Sequence, residues 1–125
     1  TEIEVIDNGG TDTITDDKIV AITYKPNSVW DEKELVSTTA DTTVAVAEKL
    51  FKNPKVGMVR VISQGDFTDS YGNKETSNAV RIGLQRSTAE NIDWTTFKEM
   101  VFIDYQKLLD IADEQWIRPA LQKAL

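Results

Sequence analysis

The chain has 125 residues, enough for one domain and too few for two of ordinary size. It contains no cysteine and no histidine, which excludes disulfides, a thiol nucleophile, a Ser-His-Asp triad and a Cys/His zinc site. With 14 basic against 21 acidic residues and a formal net charge of −7, nucleic acid and anionic membranes are poor expected partners, and a basic protein partner, or none, suits it better.

The charge is uneven. Residues 1–41 carry ten acids against three bases, residues 42–86 four against seven, and residues 87–125 seven against four. No apolar run approaches the roughly 18 residues that a membrane span needs. The chain opens on Thr1 without a signal-peptide pattern, as a mature form or a fragment does.

Residues 1–17 form an acidic leader. Ile3 and Val5 alternate with Glu2 and Glu4, a short strand pattern, and Asn8-Gly9 is a tight-turn dipeptide. Two readings stand: an edge hairpin returning through Thr13 and Thr15, or a polar tether. Residues 18–125 are expected to be a single α+β domain.

Residues 18–25 (KIVAITYK) read as a strand with Val20, Ile22 and Tyr24 on one face, ended by Pro26. Residues 31–52 read as a helix, capped by Asn27 or Ser28 and stopped by Asn53-Pro54. Val36, Ala40, Thr43, Val44, Ala47, Leu50 and Phe51 recur on one stripe, and the two alanines permit close approach to a sheet.

Residues 56–86 read as one long hairpin. A two-residue turn at Gly72-Asn73 places Val61 opposite Leu84, Arg60 opposite Gln85 and Gln64 opposite Arg81. Apolar and polar residues then separate onto opposite faces, and a bulge near Gly65 is compatible with the pattern.

Ser87 and Glu90 have capping-box spacing, and Asp93 is a second candidate cap. The helix that follows carries Phe97, Val101 and Phe102 inward. A further helical stretch holds Tyr105, Leu108, Leu109, Ile111 and Ala112, then come Trp116 and Ile117, and Pro119 starts a last turn. The order β-α-β-β-α predicts three to five mainly antiparallel strands packed on a long helix, with C-terminal helices. A cystatin-like or NTF2-like curl is one version, and a βα crossover with one parallel pair is another.

Few residues suggest chemistry. Asp66, Asp69 and Glu75 gather near the hairpin turn, but Thr68, Ser70 and Tyr71 stand where a calcium loop needs oxygen-rich ligands and glycine. Asp7, Asp12, Asp16 and Asp17 read as a solvated stretch. A paired-carboxylate hydrolase needs a cleft that raises one pKa, and no acid lies on an apolar strand or helix stripe. The stronger candidate is a contact surface on the outer sheet face: Arg60, Gln64, Arg81 and Gln85, with Arg86 alongside, since arginine grips carboxylates bidentately. Trp30, Trp94 and Trp116 lie at element ends, and Trp116, beside a helix break, is the best binding candidate among them. No cofactor is expected.

The segment DSYGNKETSNAVRIGLQRSTAENIDWTTF and the later LLDIADEQWIRPAL resemble the C-terminal part of uncharacterised small cell-envelope proteins and lipoproteins of Gram-positive bacteria. The shared features are YGN at the turn, IDW at a helix start and AD..W..PAL near the end. The resemblance covers about half of the chain and implies an extracytoplasmic location, with the leader as a tether behind a lipid anchor, although no lipobox cysteine is present. It carries no catalytic residues. The leading expectation is a non-enzymatic envelope domain that binds a protein or envelope component. The alternatives are an acidic cytosolic inhibitor of a basic partner, and a small enzyme or carrier with a pocket between sheet and helix.

Overall fold

The computed structural model describes residues 2–7, 18–26 and 32–122. Five strands form one sheet in the order β1-β2-β3-β4-β5: β1 (Glu2–Asp7), β2 (Lys18–Tyr24), β3 (Val56–Thr68), β4 (Lys74–Gln85) and β5 (Glu114–Ile117). The long helix α1 (Glu32–Leu50) lies between β2 and β3 in the chain, and four short helices follow β4: α2 (Arg86–Ala89), α3 (Trp94–Ile103), α4 (Gln106–Ile111) and α5 (Pro119–Gln122). The chain is thus α+β with a mainly antiparallel sheet, as its periodicity predicts.

Three of the four strand pairs are antiparallel, and β2 with β3 is parallel. Of the two versions of the β-α-β-β-α order, the protein therefore has the crossover: β2 and β3 run the same way because α1 returns the chain to the starting end. The leader's strand is real, but its partner is β2, with Ile3 opposite Ile22 and Val5 opposite Val20. Thr13, Thr15 and the Asn8-Gly9 turn lie outside the described residues, as do the Asn27 and Ser28 caps and Trp30.

One face of the sheet takes the helices. Val20, Val59, Val61, Val80, Ile82 and Leu84 meet Val36, Ala40, Val44 and Ala47 of α1 in a single apolar core. The two alanines are fully buried, so α1 sits close to the strands as its small residues predict. Thr39, Thr43 and Ser63 are buried polar residues at this contact. Thr39 and Thr43 bond back to the carbonyls of Leu35 and Thr39 at 2.7 Å each, which satisfies their hydroxyl protons within the helix. Phe97 and Val101 of α3 and Leu108 and Leu109 of α4 complete the core.

Two expectations about the C-terminal helices need correction. Ser87 is not a cap: β4 runs straight into α2, whose N-cap is Gln85 without a side-chain bond. Asp93 does cap α3, accepting from the Thr96 amide at 3.3 Å. Phe102 points outward and is 78% exposed, because the inward stripe at helical spacing is taken by Phe97 and Val101.

The hairpin register also differs. The turn is a three-residue loop, not two: the Gly72 amide donates to Asp69 O at 3.1 Å, and Gly72 has φ 83°, the left-handed conformation that closes a type I turn. Asp69 Oδ1 accepts from the Tyr71 and Asn73 amides at 2.8 and 2.9 Å and fastens the loop. Val59 consequently faces Leu84, and Val61 faces Ile82. From Met58 to Ser63 that is a shift of two positions from the expected register, so these side chains keep their faces, whereas from Gln64 outward the shift is three. The register breaks between Ser63 and Gln64, one residue from the bulge expected near Gly65.

Candidate functional site

The described helices all lie on the inner face, and the outer face carries the contact-surface candidates. Alternation along the strands sets two adjacent rows across the sheet. The first runs Glu4, Ala21, Arg60, Gly83, Glu114, and the second Glu2, Thr23, Ile62, Arg81, Trp116. Arg60, Arg81 and Trp116 are thus brought together. Gln85 lies opposite Met58 on one flank, and Gln64 opposite Asn78 on the other, where its amide donates to Asn78 Oδ1 at 3.2 Å. Arg86 is not part of the stripe, since its guanidinium turns to the end of α1.

Glu114 organises the site. Arg60 Nε and Nη2 donate to its Oε1 and Oε2 at 2.7 and 3.0 Å, the bidentate geometry of the strong arginine–carboxylate pair. Arg81 Nε lies 3.1 Å from the same Oε1 but off hydrogen-bonding alignment, so that contact is an ion pair alone. One carboxylate therefore serves two guanidiniums, which leaves a local excess of positive charge. The Arg81 guanidinium also lies 5.9 Å from the Trp116 ring centre, within cation–π range. Its terminal nitrogens have no hydrogen-bond partner among the described residues.

Gly83 makes this convergence possible. A Cβ there would fall 2.6 Å from Met58 Cε and 3.0 Å from Glu114 Cβ. The missing side chain is the notch through which Met58 and Glu114 fold over β4.

Sequence reasoning missed Glu114 because it missed β5. Four residues are too few for a firm strand pattern, yet Glu114-Gln115-Trp116-Ile117 does alternate: Gln115 and Ile117 turn to the helix side while Glu114 and Trp116 face out. Gln115 Nε2 donates to Leu109 O at 3.0 Å, and Ile117 packs on the core. Trp94 also packs against the core.

The carboxylates at the hairpin's outer end have separate partners. Asp66 accepts from Lys25 Nζ at 2.7 Å and from Thr76 at 2.6 Å, Asp69 is held in the turn, and Glu75 pairs with Arg118 at 3.2 Å. The bond from Lys25, then that from Thr76, holds the Asp66 carboxyl below the usual aspartate range. Asp69 is lowered by its Asn73 and Tyr71 donors. Among the described residues, no three His, Cys, Asp or Glu side chains gather as a metal site would require. Asp12, Asp16 and Asp17, and the side chain of Asp7, lie outside the described residues.

Other surface features sit on the helical side. A groove of about 380 Å³ runs between α2, α3 and the end of α4, lined by Thr88, Ile92, Phe97, Met100 and Ile111 among others. Between α1 and the sheet, among the described residues, Val36, Ala40, Val44 and Ala47 belong to one buried cluster with Val59, Val61, Val80 and Ile82. Among the described residues no helix is long and apolar enough to cross a membrane. Comparison with protein-family models, with curated proteins and with solved structures finds no match.

Proposed function

We propose that this chain is a protein-binding domain of the bacterial cell envelope, working through the open outer face of its sheet. The observation that carries the reading is the state of Arg81. Its guanidinium is held beside Glu114 and over Trp116, its side chain is 43% exposed, and its terminal donors face outward without a partner among the described residues. A planar cation fixed in this way is ready to take a carboxylate, and little side-chain freedom is left to lose on binding. Arginine and tryptophan are also the residues most enriched where binding energy concentrates. The partner surface would present an acidic group to Arg81 and an apolar one to Ile62 and Trp116. A composition without histidine or cysteine supports binding rather than catalysis. The envelope setting rests on the resemblance of the C-terminal half.

The test is affinity capture from a Gram-positive envelope fraction with the intact chain, beside the Arg81→Glu and Trp116→Ala variants. A protein retained by the intact chain and lost with both variants is the expected result. Retention by all three would remove the outer face from the interaction. Intact mass of the native protein from fractionated cells tests the location: a lipid-modified form in the membrane fraction supports it, and an unmodified cytosolic form opposes it.

A further inference from the structure

Strand β1 forms one edge of the sheet, and no described strand pairs with its far side. Such an edge offers a row of free amides and carbonyls to any extended chain. Its side chains alternate in kind. Glu2 and Glu4 lie on the outer face and are exposed, while Ile3 and Val5 lie on the helix side, 66% and 62% exposed. Among the described residues no helix packs extensively on β1, so two aliphatic side chains stand in solvent at a position where a further strand would cover them.

We propose that β1 takes an extended segment of a partner protein as a sixth strand, one in which basic residues alternate with aliphatic ones. Period-two alternation puts the partner's lysines or arginines beside Glu2 and Glu4 on one face and its aliphatic residues beside Ile3 and Val5 on the other. Main-chain bonding supplies the affinity, and the alternating charge selects the sequence. A second copy of this chain is a poor occupant in the register centred on Glu4, because that register places Glu4 against Glu4 and like charges directly opposite destabilise. The edge is separate from the outer-face site and stands without it.

The test uses the intact chain and a short peptide of alternating lysine and valine, with backbone amide signals followed by NMR. Expected are saturable shifts confined to residues 2–7 and their β2 partners. Binding should weaken as salt rises and vanish for the same peptide N-methylated along the pairing edge. Doubly exchanging Glu2→Lys and Glu4→Lys should weaken the lysine peptide at least about tenfold and make a glutamate–valine peptide the better ligand. Arg81→Glu, which disables the outer face, should leave the peptide's affinity within about twofold, so the two sites fail separately. The proposal is overturned if residues 2–7 do not respond, or if lysine and glutamate peptides bind alike. It is also overturned if these amides become protected with rising protein concentration and no peptide, which would make a second copy the occupant.

Discussion

The Thr39 and Ser63 hydroxyl oxygens lie 2.7 Å apart where α1 crosses β3, and both residues are fully buried. Thr39 has one proton, and Leu35 O, also 2.7 Å away, can only accept. The proton therefore goes to Leu35 O, and Ser63 is the donor to Thr39 Oγ1.

This direction makes the two sites unequal. Thr39→Val keeps the shape but leaves the Ser63 hydroxyl buried without an acceptor, at a cost of about 1–3 kcal/mol. Ser63→Ala leaves Thr39 bonded to Leu35 O and should cost less, about 1 kcal/mol. The double variant should be more stable than the sum of the singles implies, since removing both partners approaches a neutral exchange. Urea unfolding of the three variants measures this, and equal single effects would refute the assigned direction.

Glu114 pairs with two arginines on the outer face, so its loss should exceed that of an ordinary surface charge. Glu114→Gln should destabilise by about 1–3 kcal/mol, against the 0–1 typical of exposed pairs. Arg60→Ala in the same background should recover part of the loss. A double-mutant cycle read by thermal unfolding tests it, and a coupling near zero would show that the bidentate pair contributes nothing net.

Arg86 ties the end of α1 to the start of β3. Its Nε donates to Val56 O at 2.8 Å, and its Nη2 lies 3.1 Å from Phe51 O and 2.6 Å from Asn53 O. The guanidinium also stacks over the Phe51 ring, 5.3 Å from its centre. Arg86→Lys keeps the charge but not the fork, so it should cost about 1–3 kcal/mol. Hydrogen exchange should quicken first at residues 51–56, and an unchanged stability would mean that water replaces these bonds at no loss.

Acid should act on the hairpin tip late and on α1 early. Asp66 and Asp69 have folded pKa values held down by their donors. Their contribution is complete above the ordinary aspartate range and disappears only as pH falls through the lowered folded values. Asp41 is opposite, because burial raises its pKa. It takes up a proton above the ordinary range, and folding gains as pH falls through that window. Carboxyl-carbon NMR titration should therefore show Asp41 titrating before Asp66 and Asp69, with the Tyr71 and Asn73 amides unmoved until the lower range. Tip amides that shift together with Asp41 would contradict the hydrogen-bonded turn.

The long elements were legible because their periods are long. The α1 stripe holds through five turns, and the inner halves of β3 and β4, up to Ser63, sort their residues by face even under a register two positions off, since a shift of two changes no face. The turn was legible in part: Asp69 and Gly72 are the first and fourth residues of a type I turn, a pattern masked by the simpler Gly72-Asn73 reading. The parallel β2–β3 pair was legible only as one of two open versions, because the direction in which a strand joins a sheet depends on where α1 returns the chain. For the site, Arg60, Arg81 and Trp116 could be named from their types and positions. Glu114, which draws them together, belongs to a strand that exists only by pairing with β4.

That parallel pair also orders the assembly of the fold. The β3–β4 hairpin closes across a three-residue loop, whereas β2 reaches β3 only after the whole of α1 is in place. The loop-closure entropy is therefore smallest for the hairpin and larger for β2, with β1 dependent on β2 in turn. The hairpin and the helix resting on it are therefore expected to form the nucleus, with the two N-terminal strands joining after the rate-limiting barrier. Weakening β1 or β2 accordingly shortens the lifetime of the native state while folding stays nearly as fast, and weakening the β3–β4 seam slows folding itself.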